Sequence, residues 1–126
     1  MQKEKQLHQS VCDYIRWKYP KVLFFSELSG SMRLSIGQAT QLKRLRSNRG
    51  FPDLICFEPR GGRFGLFIEI KAEGEVLKKK NGEYKTEHLQ EQHDVIVKLN
   101  ELGYCATFGV GIDDCVLIID NYMKIK

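Results

Sequence analysis

Three charged residues lie at the outer ends of the two apolar segments in the most sheet-like stretch of this sequence, GFPDLICFEPRGGRFGLFIEIK, residues 50–71. Asp53 opens the first of its two apolar segments, and Glu69 and Lys71 close the second. Side chains alternate across a strand, so Glu69 and Lys71 share one face. In a hairpin, Asp53 would lie opposite or diagonal to Glu69, and two close carboxylates repel unless a positive charge lies between them. The pattern therefore predicts a divalent cation site.

Magnesium suits such a pair, because it commonly binds one or two carboxylates together with waters and substrate phosphate. Lys71 would then stand beside the ion. The structural alternative is that a Glu and a Lys two residues apart are common on a solvent-facing sheet, and that Pro-Asp often starts a turn. Pro52-Asp53 opening one strand and Glu69-Ile70-Lys71 ending the next form a much more specific combination than either pair alone.

The elements that must hold these residues follow from hydrophobic periodicity and turn residues. Helices are predicted at residues 3–18, 38–48, 87–102 and 113–123, the last with Asp113 or Asp114 as N-cap. Strands are predicted at residues 21–26, 53–58, 65–71 and 104–110, with an antiparallel hairpin between the second and third. We expect an α/β fold with a small mixed sheet flanked by helices, and one domain over residues 1–126.

Composition excludes several classes of protein. The chain has 126 residues, 42% apolar and 29% charged, an ordinary globular mixture. No apolar run approaches the roughly 20 residues of a membrane helix, and the start lacks the apolar core of a signal peptide. The four cysteines form no CxxC pair, and the three histidines complete no zinc pattern. We expect a cytoplasmic protein with no membrane contact and no small-molecule cofactor.

Basic residues are concentrated in two places. No acidic residue occurs between Leu28 and Pro52. That segment carries Arg33, Lys43, Arg44, Arg46 and Arg49, and a second cluster consists of Lys78, Lys79 and Lys80. Such clusters are often solvated surface, but two of them flanking the unusual strand pair favour an anionic polymer as partner. If that polymer is a nucleic acid, these side chains are expected to contact its phosphates rather than to read its bases.

Gln92 and Glu4 are less obvious candidates. Gln92 lies one helical turn from Leu89 and from Ile96, on the buried stripe of its helix. An amide there must find partners, either the neighbouring backbone or a functional site, or it costs stability. Glu4 lies on an inward stripe one turn before Leu7.

The PD…ExK arrangement resembles the PD-(D/E)xK nuclease superfamily, whose fold is restriction-endonuclease-like. More narrowly, GFPDLICF, FIEIK and LQEQHDVIVKLNELGYCATF resemble the VRR-NUC family of virus-type replication and repair nucleases. The resemblance implies a Mg²⁺-dependent DNA endonuclease, with Mn²⁺ able to substitute. It implies these site residues: Asp53, Glu69, Lys71 and Gln92 as catalytic, and Glu4, Asp53, Glu69 and the Ile70 carbonyl as metal ligands. Glu27 is the alternative to Glu4.

The resemblance also implies a homodimer that cuts branched DNA, such as flaps or Holliday junctions, in phage or bacterial replication or repair. Two alternatives stay open. One is a restriction-type or general duplex nuclease with the same core. The other is a non-catalytic nucleic-acid-binding module that keeps the nuclease fold, which the complete set of Asp53, Glu69 and Lys71 disfavours.

Overall fold

A mixed four-stranded sheet forms the middle layer of the computed structural model, which describes residues 2–27 and 34–126. The strands are β1 (Phe24–Ser26), β2 (Leu54–Cys56), β3 (Leu66–Lys71) and β4 (Cys105–Val110). The helices are α1 (Gln2–Lys18), α2 (Ile36–Arg44), α3 (Glu87–Glu101) and α4 (Gly111–Met123). The strands lie in the order β1-β2-β3-β4, antiparallel except for the parallel pair β3–β4. The predicted fold class and the predicted hairpin are both confirmed.

One face of the sheet carries the main apolar core. Leu54 of β2 and Ile68 of β3 are fully buried there against Val11 and Ile15 of α1 and Ile119 of α4. Each such side chain contributes about 1.5–3 kcal/mol through its removal from water. This core fixes the positions of β2 and β3 relative to each other. It thereby also fixes the residues that these strands carry on the other face of the sheet.

Helix α3 covers the other face over β3 and β4. Val95, Ile96 and Leu99 pack there with Ala106 and Phe67. The helix also provides the crossover that a parallel strand pair requires. Toward the end of β3 the apolar residues of this face give way to Glu69 and Lys71.

The predicted start of the last helix was wrong. Helix α4 begins at Gly111, and the N-cap position is Val110, which makes no side-chain capping bond. Gly111 has a φ of +82°, which lets β4 turn directly into the helix without a loop. Asp114 instead lies inside the first turn, where its Oδ2 accepts a hydrogen bond from the Val110 N–H at 2.8 Å.

Other boundaries differ at the ends of elements. Helix α2 starts earlier than predicted, because Ser35 and Gln38 form a capping box, and it ends at Arg44. Strand β1 is shorter than predicted, since the chain after α1 first makes a turn in which the Val22 N–H donates to the Tyr19 carbonyl at 3.0 Å. All four cysteines are free thiols. Over residues 2–27 and 34–126, every helix is too short or too polar to cross a lipid bilayer.

Candidate active site

A polar cavity of about 80 Å³ lies at the end of the sheet where β2 begins and β3 ends. The side chains that line it are Glu4, His8, Glu27, Asp53, Glu69, Lys71, His88 and Gln92. We call it the acidic pocket, because four of these side chains are carboxylic acids and one is a lysine. The pocket contains all four residues that the sequence predicted as catalytic, together with both candidates for the additional metal ligand.

Asp53 and Glu69 meet because of the register between β2 and β3. Leu54 lies opposite Ile68 in this antiparallel pair, so Asp53, one residue earlier, falls opposite Glu69. The charge of Asp53 is accordingly among the causes that raise the pKa of Glu69. The two carboxyl groups lie as the hairpin predicts, while their catalytic roles stay predictions.

The Asp53 carboxylate is also held by the backbone of β3. Its Oδ1 accepts a hydrogen bond from the Ile70 N–H at 2.9 Å. Because the N–H and C=O of one strand residue face the same neighbour, we expect the Ile70 carbonyl oxygen to face the same side of β3 as this N–H. The Ile70 side chain is buried in the core, so its carbonyl oxygen is the group it can offer to a cation.

Glu69 and Lys71 are neighbours in the pocket and are 6% and 8% exposed. The Lys71 Nζ lies 3.6 Å from the Glu69 Oε2. Burial raises the pKa of Glu69, and the charge of Asp53 raises it further. Lys71 lowers the pKa by less than these two causes raise it, so the pKa of Glu69 is about 8. One lysine therefore does not balance these buried acids, and a bound cation would supply the missing positive charge.

Gln92 projects from α3 into the same pocket and is 4% exposed. Its Nε2 lies 3.2 Å from the Nε2 of His88, one helical turn earlier. Its Oε1 is buried and has no hydrogen-bond partner within the described residues. A buried amide oxygen without a partner costs about 1–3 kcal/mol, and such groups often mark a place where a ligand or an ion binds.

Glu4 and Glu27 approach the pocket from different elements. Glu4 lies in the first turn of α1, and its charge contributes to the raised pKa of Glu69. Glu27 follows β1, its N–H donates to the Asp53 carbonyl at 2.6 Å, and its carboxylate lies 3.6 Å from Arg46. The ion pair with Arg46 makes Glu4 the better candidate for a metal ligand.

Sequence reasoning missed two histidines of the pocket. His8 of α1 is 3% exposed and contacts Asp53 directly, and His88 contacts Gln92. Each stands four residues from a predicted site residue on the same helix, His8 after Glu4 and His88 before Gln92. Residues at this spacing share a helix face, so the spacing was the available signal.

The basic residues around α2 adjoin the pocket without entering it. No residue of α2 is buried. Lys43, Arg46 and Arg49 line an open groove of about 530 Å³ that shares His88 with the acidic pocket. Arg44 closes α2 and is exposed outside this groove. The predicted contribution of Arg33 lies outside the described residues.

The second basic cluster lies on a turn between β3 and α3. Lys78 pairs with Tyr84 across this turn, with its Nζ 5.1 Å from the ring centroid. Tyr84 anchors the turn, because its hydroxyl lies 2.9 Å from the Nδ1 of His93 and its ring packs on Phe108. None of Lys78, Lys79 and Lys80 lines the acidic pocket or the groove beside it.

The pocket suits a cation that takes few ligands from the protein. Within the described part of the chain, no three His, Cys, Asp or Glu side chains converge as a ready-made metal centre. Magnesium does not require one, since it is usually held by one or two carboxylates plus waters and substrate. The opposed carboxyl groups of Asp53 and Glu69 and the unpaired Gln92 oxygen are hard oxygen donors, so the residues fit Mg²⁺ or Mn²⁺.

Comparison with known proteins shows the family of the chain. The family model described as the VRR-NUC domain matches residues 1–103, a range that includes every residue of the acidic pocket. A solved structure described as a VRR_NUC domain protein is 30% identical, with a TM-score of 0.68 over 98% of this chain and 89% of its own. The search of curated proteins found no match.

Proposed function

Since this chain belongs to the VRR-NUC domain family, a family of the nuclease type, we propose that it is a metal-dependent nuclease that hydrolyses phosphodiester bonds in DNA. The observation that carries the proposal is the placement of Asp53 opposite Glu69 in one buried polar cavity with Lys71. A structural surface pair would be exposed to solvent, whereas Glu69 and Lys71 are almost completely buried.

The metal ligands would be Asp53, Glu69 and the Ile70 carbonyl oxygen, with Glu4 contributing from α1. A bound Mg²⁺ or Mn²⁺ supplies an acidified water as nucleophile and offsets negative charge on the reacting phosphate. The protein keeps these oxygens together without the ion through the strand register and through the hydrogen bond from Ile70 to Asp53. Little rearrangement is then needed when the ion binds.

Lys71 and Gln92 would act on the substrate side of the pocket. The Lys71 ammonium lies beside Glu69 and stabilises negative charge that develops on the phosphate, an electrostatic role rather than that of a general base. The Oε1 of Gln92 has no partner within the described residues, and it would accept a hydrogen bond from a water or from Lys71 and so orient that group.

The groove beside the pocket would hold the DNA backbone. Lys43, Arg46 and Arg49 line it, and it meets the acidic pocket at His88. Lysine and arginine contacts to phosphates give affinity and orientation without sequence information. A strand held in this groove would therefore pass next to Asp53 and Glu69.

We propose further that DNA shape, rather than sequence, selects the substrate, and that the enzyme is a structure-selective endonuclease for flaps or four-way junctions. The groove next to the pocket carries the basic residues Lys43, Arg46 and Arg49, a residue type that binds phosphates, which favours recognition of backbone geometry. A homodimer in the cytoplasm of a bacterial or phage-infected cell would place two pockets on two strands of a branched substrate.

A panel of labelled DNA structures tests this function. Duplex, single strand, flap and four-way junction are each incubated with Mg²⁺, Mn²⁺ or EDTA, and the products are separated by size. We expect cleavage of branched substrates with either metal and none with EDTA. Equal cleavage of plain duplex would favour a general or restriction-type nuclease. Binding without cleavage under every condition would favour a non-catalytic module.

A further inference from the structure

His8 is a buried histidine that the proposed reaction does not use. It lies on α1 and is 3% exposed, while its two ring nitrogens contact residues of two other elements. Polar rings are rarely buried so completely without a specific partner. The partners of the two ring nitrogens, Ser26 and Asp53, indicate the structural role of His8.

The His8 ring bridges β1 and the start of β2. Its Nε2 lies 3.2 Å from the Asp53 Oδ2, and its Nδ1 lies 3.0 Å from the Ser26 Oγ. The other Asp53 oxygen accepts from the Ile70 N–H at 2.9 Å. Asp53 is therefore held at both carboxylate oxygens, by a side chain on one side and by the backbone of β3 on the other.

Hydrogen-bond roles along this chain are consistent. An ionised Asp53 only accepts, so the Nε2–H of His8 donates a hydrogen bond to the Asp53 Oδ2. In the neutral ring the Nδ1 then accepts from the Ser26 hydroxyl. The Ser26 hydroxyl, which can donate or accept, thus holds the orientation of the His8 ring. His8 in turn fixes the carboxylate, which is the outer support that metal ligands generally have.

We propose that His8 is a positioning residue that orients Asp53 for the divalent cation, an inference that rests on the proposed function. Both ring nitrogens of His8 are engaged, the Nε2 with Asp53 and the Nδ1 with Ser26, so we assign His8 to the support of a ligand and not to the ligands themselves. Loss of the ring would leave the Oδ2 without its donor and allow the carboxylate to rotate away from Glu69. Removal of such a support typically lowers metal affinity by about 10–100-fold.

Calorimetric titration with Mn²⁺, without DNA and after treatment with EDTA, tests the role. The proteins are the wild type, His8→Leu, His8→Gln, Ser26→Ala and the control His93→Leu. His93 is a matched histidine, since it is partly buried and bonded to Tyr84 but does not line the pocket. Circular dichroism checks that each variant is folded.

We expect His8→Leu to bind Mn²⁺ about 10–100-fold more weakly than the wild type. His8→Gln should regain most of the loss, because its amide can donate from near the Nε2 position. Ser26→Ala should show a smaller loss in the same direction, and His93→Leu should bind as the wild type does.

Two failures are distinguishable. If the wild type binds Mn²⁺ and a folded His8→Leu binds it equally well, the positioning role is wrong and the proposed function stands. If the wild type shows no saturable binding, the metal-dependent function itself is wrong. Should His8→Leu not fold, Ser26→Ala decides the question. Wild-type affinity in this variant would overturn the role, and weaker Mn²⁺ binding would support it.

Discussion

The acidic pocket and the basic surface around α2 are built in opposite ways. Asp53, Glu69 and Lys71 project from the ends of two core strands, and strand register and burial fix their positions. Lys43 and Arg44 project from a helix that buries none of its residues. Chemistry at a phosphate requires a fixed geometry, whereas attraction of a polyanion requires only exposed charge. The two regions should therefore respond very differently to substitution.

The largest effect is expected from the pocket carboxylates. Asp53→Ala and Glu69→Ala each remove a predicted metal ligand, and the metal contributes several kcal/mol of transition-state stabilisation. Cleavage should fall by about 10³-fold or more, while circular dichroism and DNA binding in EDTA change little. Cleavage by either variant at the wild-type rate would contradict the assignment.

A second effect concerns stability without metal. The pKa of Glu69 is raised from 4.5 to about 8, so below about pH 4.5 the group is protonated in both the folded and the unfolded chain. As the pH rises to 8, the folded chain retains a proton that the unfolded chain has lost, and the free energy of unfolding falls. The cost reaches roughly 5 kcal/mol at most, at about 1.4 kcal/mol for each pH unit.

Glu69→Gln should remove this cost. Urea unfolding in EDTA should find the variant more stable than the wild type at pH 9, with a much smaller advantage at pH 4.5. An equal difference at both pH values would show that packing, and not the carboxylate charge, causes it. Added Mg²⁺ should stabilise the wild type more than the variant, because only the wild type retains both carboxylates.

A smaller effect is expected on the basic surface. Changing Lys43, Arg44 and Arg46 together to Ala should weaken DNA binding, most strongly at low salt. The slope of the salt dependence should fall by up to about 0.9 for each DNA phosphate that the variant no longer neutralises. Fluorescence anisotropy with a labelled junction in EDTA, over a series of salt concentrations, measures both quantities, and an unchanged slope would remove this surface from the DNA path.

The smallest effect is expected on the turn between β3 and α3. Changing Lys78, Lys79 and Lys80 together to Ala removes the same number of charges and serves as the matched comparison. This turn does not line the pocket or the groove beside it, so the loss of affinity should be smaller than for the α2 variant. Equal losses would mean that DNA contacts both clusters to the same extent.

The sequence predicted the pocket better than its surroundings for a physical reason. Alternation in β3 assigns Glu69 and Lys71 to one face, and a hairpin brings Asp53 to the same place, so two local rules were enough. The contact between His8 and Asp53 depends on how α1 packs on the sheet, which no local pattern specifies. The spacing of His8 from Glu4 indicated only a shared helix face.

Helix boundaries were harder to predict because competing local signals were of similar strength. Asp113 and Asp114 are good N-cap residues, yet a positive φ at Gly111 starts α4 earlier and leaves Asp114 to bond the Val110 N–H from within the helix. In α2, the capping box of Ser35 and Gln38 starts the helix at Ile36, before the predicted residue 38.

A crystal grown with Mn²⁺ and measured by anomalous scattering would locate the cation. We predict a strong peak in the acidic pocket, about 2.1 Å from carboxylate oxygens of Asp53 and Glu69 and from the Ile70 carbonyl oxygen. A peak elsewhere on the chain, or no peak at a Mn²⁺ concentration that supports cleavage, would contradict the proposal that these residues form the catalytic metal site.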